Sequence, residues 1–219
     1  MALHLVYGGT FDPIHNGHLA IACAARDALA CTVHLMPTGD PPHRAPPGAD
    51  GATRATMVAL AIDGVPGLVL DRRELERQGR SYTVDTLAEL RSEIGPSTPL
   101  AWLVGADSLL GLPGWHRWRD LFGLAHLVIA ERPGSALDAE LPAELAAALQ
   151  NRWTREAADL QSQPAGRVLR LHQPLSHVSA TAIRAQLSAG VPTGGQLPPA
   201  VAAFIHEKGL YGAAARAPL

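Results

Sequence analysis

Gly8-Gly9-Thr10-Phe11-Asp12-Pro13-Ile14-His15-Asn16-Gly17-His18 is the stretch that decides how this chain folds. The apolar run Leu3 to Tyr7 precedes it and reads as a buried strand. The Ala-rich segment Leu19 to Leu29 follows it and reads as a helix. A strand, a glycine-rich turn and a helix N-terminus in that order make an anion site. Free backbone N–H groups and the positive end of the helix dipole converge there. His15 and His18 stand three apart across the helix start, so their rings can face one side. Two imidazoles beside a phosphate cradle point to chemistry on a nucleotide. The competing readings are a plain tight turn at Gly8-Gly9 and half of a metal site at the two histidines. Cys23 and Cys31 show no ligand spacing, which weighs against metal.

The chain has 219 residues, enough for one α/β domain with a sizeable core. Its formal net charge is −2, so no overall basic field favours nucleic acid. No apolar run approaches the ~20 residues of a membrane span. The start of the chain has neither a basic nor a strongly apolar leader segment, and two cysteines without a framework fit a reducing compartment. The expectation is a cytoplasmic protein that binds neither nucleic acid nor membrane.

Strand-like and helix-like runs alternate along the whole sequence, which predicts a Rossmann-like, doubly wound α/β fold. The sheet is expected to be mostly parallel, with helices on both faces. The expected strands are Leu3 to Tyr7, Thr32 to Met36, Leu68 to Leu70, Leu100 to Val104, Leu127 to Ala130 and Val168 to Leu171. The expected helices are Leu19 to Leu29, Thr53 to Ile62, Val84 to Glu93 with Thr83 as N-cap, Leu141 to Leu149, Ala180 to Leu187 and Pro199 to Glu207, with Gly209 as the last helix stop. Pro37 to Ala49 holds five prolines and reads as a stiff loop. Residues 134 to 166 are the least readable stretch. Such a sheet binds ligands at the carboxyl ends of its strands, where the first motif sits.

Thr10-Phe11-Asp12-Pro13 followed by His15-x-Gly17-His18 resembles the signature of the HxGH nucleotidyltransferases. Four further motifs follow in order. Pro41-Pro42-His43-Arg44 is a stiff loop whose Arg can meet phosphate, although the family pattern usually has Lys in place of Arg44. Ser81-Tyr82-Thr83-Val84-Asp85-Thr86-Leu87 lies at a loop-to-helix junction that can donate to a carboxylate. Gly105-Ala106-Asp107-Ser108 ends a strand and is followed by Trp115, a flat stacking face. Ser179-Ala180-Thr181-Ala182-Ile183-Arg184 opens a late helix, with hydroxyls and a guanidinium for phosphate. The second and third of these, with Glu131-Arg132-Pro133-Gly134, are similar to one branch of that family, the nicotinate mononucleotide adenylyltransferases.

The resemblance implies adenylyl transfer from ATP to nicotinate mononucleotide, with Mg²⁺ accompanying the ATP. It implies one nucleotidyltransferase domain over residues 1–219, with about 175–212 as a helical ATP-binding subregion. Gly8, Gly9, Thr10, Phe11, His18, Gly105, Asp107, Ser179, Thr181 and Arg184 are the expected ATP contacts. His15, His18 and Arg184 are the expected catalytic groups. Arg44, Tyr82, Thr83, Trp115 and Arg132 are the expected mononucleotide contacts. No protein-borne metal site is expected, and the chain is expected to be a monomer or small homo-oligomer. An adenylyltransferase that takes the amide mononucleotide, or both mononucleotides, stays open. So does a nucleotide sensor without turnover.

Overall fold

The computed structural model describes residues 2–39, 48–77, 79–131, 137, 141–173 and 176–213. The first half of the chain runs β1 (His4–Gly9), α1 (Asn16–Leu29), β2 (Val33–Pro37), α2 (Gly51–Ile62), β3 (Leu68–Leu70), α3 (Arg73–Glu76) and α4 (Thr83–Ile94). The middle runs β4 (Leu100–Gly105), α5 (Ala106–Leu110), α6 (Leu121–Leu124), β5 (His126–Ala130), α7 (Ala143–Leu149) and β6 (Trp153–Thr154). The last part runs α8 (Ala157–Ser162), β7 (Val168–Leu171), α9 (Ala180–Ser188) and α10 (Pro199–Glu207).

The strands form one seven-stranded sheet in the order β3-β2-β1-β4-β5-β7-β6. Every recorded pairing is parallel. The chain builds outward from β1 to β3, then crosses back to lay β4 on the other side of β1. The strand order therefore switches between β1 and β4, where a doubly wound sheet opens a crevice at its carboxyl edge.

Alternation along the strands sends side chains to two cores. Leu5 and Tyr7 of β1, with Leu103 of β4, pack on one face beneath Ala25 and Leu29 of α1, Val58 of α2 and Ile205 of α10. Val6 and Trp102 face the other side and meet Leu87 and Leu90 of α4. The expected α/β architecture, with helices on both faces, is the one observed.

Several boundaries differ from expectation for local reasons. β1 runs through Gly8 and Gly9, so these glycines are extended strand rather than turn, and neither has a positive φ. α1 begins at Asn16, before the expected Leu19, because His15 is its N-cap. α2 begins at Gly51 because the Asp50 carboxylate accepts from the Thr53 N–H at 2.7 Å. Thr83 is the first helical residue of α4 and not its N-cap, a position taken by Tyr82. The short elements α3, α5, α6, α8 and β6 were not anticipated. α10 ends as expected, with Gly209 left-handed at φ 60° just beyond it.

The glycines at the end of β1 are required by packing. A Cβ on Gly8 would fall 2.3 Å from a ring carbon of Trp102, and one on Gly9 would fall 2.8 Å from the Phe11 ring. Gly8→Ala should therefore lower unfolding free energy in urea by about 1–3 kcal/mol, the usual cost of overpacking. A wild-type midpoint would show that Trp102 can move.

The opposite end of the sheet carries an acid-sensitive pair. The rings of His4 and His34 stack at 4.1 Å. Burial, and then the neighbouring His34 and Arg73, lower the His4 pKa from 6.5 to about 4, against weaker opposing effects of Asp71 and Glu93. Between those two values the unfolded chain binds more protons than the folded one, so folding weakens as pH falls from about 6.5 toward 4. Thermal unfolding across that range should show a shallower decline for His4→Gln than for wild type.

Candidate active site

The site is assembled from the carboxyl ends of β1 and β4 and the N-termini of α1, α4 and α9. At α1 two imidazoles replace the usual capping hydroxyl and carboxylate. The His18 N–H donates to His15 Nδ1 at 3.3 Å, and the His15 N–H donates to His18 Nδ1 at 3.3 Å. This is a reciprocal capping box. The two rings stack at 3.7 Å with 22° between their planes. With each Nδ1 accepting, the ring proton of a neutral imidazole lies on Nε2. Phe11 backs this pair, its ring edge-on to His18 at 5.1 Å.

Arg184 reaches the same place from the second turn of α9. Its Nη1 donates to the Asp12 carbonyl at 2.7 Å and lies 3.7 Å from the Asp12 carboxylate. The Asp12 carboxylate also accepts the Gly48 and Ala49 N–H groups at 2.8 and 3.1 Å and the Tyr211 hydroxyl at 2.6 Å. Burial and the adjacent Asp12 carboxylate push the Tyr211 phenol far above its usual range, so it stays a donor. Ser179 caps α9, accepting from the Ala182 N–H at 3.2 Å.

His15, His18, Asp12, Arg184 and Ser179 border a cavity of about 660 Å³. Gly8, Gly9, Thr10, Phe11, His15, His18, Gly105, Asp107, Ser179, Thr181 and Arg184 all line it. Every residue expected at an ATP or catalytic position is thus brought to one opening. A smaller cavity of about 130 Å³ adjoins it and shares Gly8, Gly9, Thr10 and Ser108. Tyr82, Thr83 and Trp115 line this second space, with Thr38, Glu74, Trp102 and His116. Arg44 and Arg132, the other two expected mononucleotide contacts, lie outside the described residues.

The wall of the smaller cavity suits a flat ring with a negative substituent. Trp115 and the tilted pair Tyr82 and His116, whose centroids are 4.5 Å apart, supply aromatic surface. The N-terminus of α4 has no side-chain cap, so its first N–H groups remain available to a ligand anion. Glu74 is buried in the same wall, and burial raises its pKa. Its oxygens turn into the protein, accepting from the Thr86 hydroxyl at 2.8 Å and the Gly39 N–H at 3.3 Å.

Sequence reasoning quoted Asp12 within the first motif but gave it no role, and it missed Arg54, Glu74 and Tyr211. Arg54 left one usable signal. It falls on the same helical stripe as Met57, Val58 and Ala61, a charge on a face otherwise built for the core. Glu74 left none, because α3 is a single turn.

Residues 6–186 match the family model described as cytidylyltransferase-like. The chain is 60% identical to a protein of Stenotrophomonas maltophilia (strain K279a) named probable nicotinate-nucleotide adenylyltransferase, over 96% of this chain and 97% of that protein. It is 51% identical to a protein of the same name from Laribacter hongkongensis (strain HLHK9), over 94% of this chain and 93% of that one. A Plasmodium falciparum nicotinic acid mononucleotide adenylyltransferase, solved in complex with NaAD, superposes with a TM-score of 0.70. That match covers 97% of this chain and 98% of the other at 16% identity, a likeness of fold. The chain belongs to the cytidylyltransferase-like family and, within it, to the nicotinate-nucleotide adenylyltransferases.

Proposed function

We propose that this protein transfers the adenylyl group of ATP to nicotinate mononucleotide, giving deamido-NAD and pyrophosphate. One observation carries the reading. Two cavities meet at Gly8-Gly9-Thr10, one ringed by phosphate-binding groups and the other by aromatic rings and an uncapped helix N-terminus. ATP fits the first and the pyridine nucleotide the second, with their phosphates meeting at the shared glycines.

The chemistry needs no general base, because the attacking phosphate oxygen is already an anion. That oxygen bonds to the α-phosphorus as the bond to the β-phosphate bridge breaks, and the electron pair leaves with pyrophosphate. The barrier lies in holding two anions in line and in stabilising the charge of the transition state. Backbone N–H groups at Thr10 and Phe11 and the α1 dipole hold phosphate oxygens. His15 and His18 donate from Nε2. Arg184, with the Thr181 hydroxyl one turn before it, neutralises the leaving group. Residues about 175–212 act as the ATP-binding subregion, and Arg44 and Arg132 add cations for the mononucleotide.

Among the described residues no three His, Cys, Asp or Glu side chains converge as a resident metal requires. In this proposal the cation is Mg²⁺ and enters with the triphosphate. When bound it offsets phosphate charge. No described helix is long and apolar enough to cross a membrane. A cytoplasmic monomer or small homo-oligomer completes the reading.

The decisive experiment incubates purified protein with Mg-ATP and either nicotinate or nicotinamide mononucleotide, and follows pyrophosphate and dinucleotide. A site built around α4 for a carboxylate should favour the acid. Trp115→Ala should raise KM for the mononucleotide roughly tenfold, the worth of one lost stacking contact. Equal use of the two mononucleotides would retain adenylyl transfer and remove the carboxylate role of α4. Pyrophosphate from neither would overturn the reading. His18→Ala should lower turnover by ~10²-fold or more with little change in ATP affinity, as for the loss of one transition-state donor. Near-normal turnover of the folded variant would remove His18 from the transition state.

A further inference from the structure

Arg54 of α2 is the largest of the fully buried side chains, only 2% exposed. Its guanidinium is spent on backbone oxygens from three separate segments. Nη1 donates to the Thr10 carbonyl at 2.8 Å, Nη2 to the Thr38 carbonyl at 2.8 Å, and Nε to the Ala49 carbonyl at 3.2 Å. Thr10 borders both cavities, Thr38 the smaller one, and Gly48, beside Ala49, the larger one. One side chain therefore ties together the nucleotide motif, the exit of β2 and the entry to α2. Asp12 grips the last of these from the other side, through the Gly48 and Ala49 N–H groups.

The Thr10 bond has a geometric consequence. A trans peptide is planar, so the carbonyl of Thr10 and the N–H of Phe11 point in opposite directions. With the carbonyl drawn onto Arg54, the Phe11 N–H faces away from α2, at a turn whose residues line the larger cavity. Phe11 has a φ of 49°, a region that an aromatic residue occupies only when its surroundings hold it there. The peptide held by Arg54 thus leads into a residue whose backbone needs such support. An apolar side chain of similar volume would fill the space at no cost in desolvated charge. What it would not do is orient three carbonyls.

We infer that Arg54 is a positioning residue for adenylyl transfer. It presets the Thr10–Phe11 peptide so that its N–H meets the ATP phosphates, and it fixes the two cavities relative to each other. The inference rests on the adenylyl-transfer reading above, and its test separates the two.

Arg54→Met and Arg54→Lys would be compared with wild type and with Leu149→Ala. Leu149 of α7 is buried in the opposite core, lines neither cavity and lies on no element that borders one, so its truncation reports destabilisation alone. Thermal unfolding, kcat, KM and the Kd for ATP by calorimetry would be measured on each folded protein. Arg54→Met should lose about 10²-fold in kcat, the scale set by small misplacements of reacting groups. Its ATP Kd should rise about tenfold, the weight of one lost hydrogen bond. Arg54→Lys should fall between wild type and Met, because it keeps the charge and part of the donor set. Leu149→Ala should keep wild-type kcat and ATP Kd despite a lowered melting temperature. If Arg54→Met does not fold, Arg54→Lys against Leu149→Ala decides the matter alone. Arg54 variants that match Leu149→Ala in kcat and ATP Kd would overturn the inference and leave the reaction intact. A wild-type protein that binds ATP but releases no pyrophosphate would overturn the reaction, and the ATP Kd series would still judge Arg54.

Discussion

The structure depends on the carboxyl end of β1 being bare. Gly8 lies against the Trp102 ring and Gly9 against the Phe11 ring, so neither position has room for a Cβ. β1 is also the strand from which the sheet is wound in both directions, with β2 on one side and β4 on the other. The crevice of a doubly wound sheet opens where the strand order switches. Here the switch strand ends in a side-chain-free surface that borders both cavities. A substituent there would stand between the two sites. The same contacts lock Trp102 and Phe11, which seat α4 on one face and back His18 on the other.

Around that surface the helix termini are treated in three ways. α9 is closed by Ser179 in the ordinary manner. α1 is closed by its own site residues, since the bonds that cap it also stack and orient His15 and His18. Local helix stability and ring placement are therefore one feature, since the same two hydrogen bonds serve both. α4 carries no side-chain cap at all. Uncapped N–H groups at a cavity wall are a cost in the empty protein and a gain for an anion. α9 and α4 thus differ in whether a side chain closes the helix start at its cavity.

The sequence made the sheet legible because parallel strands buried on both faces read as short continuous apolar runs. Leu100 to Val104 and Leu127 to Ala130 are such runs. The elements that escaped were too short for a period to show. α3 and α6 are single turns, and β6 is only Trp153 and Thr154. The start of α1 was misplaced because histidine is not among the residues normally read as N-caps. Each residue expected at the ATP site reached one cavity because its motif sits at a strand end or helix start, and the topology gathers those ends. The buttressing residues were harder to find. Arg54 shows only as a charge on the apolar stripe of α2, because its bonds to the Thr10 and Thr38 carbonyls, 44 and 16 residues away, leave no local pattern. Tyr211 lies in no quoted motif, and its hydroxyl reaches Asp12 from 199 residues away.

The field in the larger cavity is made mainly of dipoles. Arg184 is the one guanidinium among the described residues that line it, and it is already bonded to Asp12. The remaining attraction comes from helix N-termini, backbone N–H groups and imidazoles. A net charge of −2 adds no long-range steering of anions. Oriented dipoles in a sheltered site need no rearrangement as charge develops, which is where they outperform mobile side chains. Their weakness is that they act only while their peptides stay in place. That is why a fully buried arginine spent on carbonyls suits this protein. Its charge contributes through the geometry it imposes on groups that carry none.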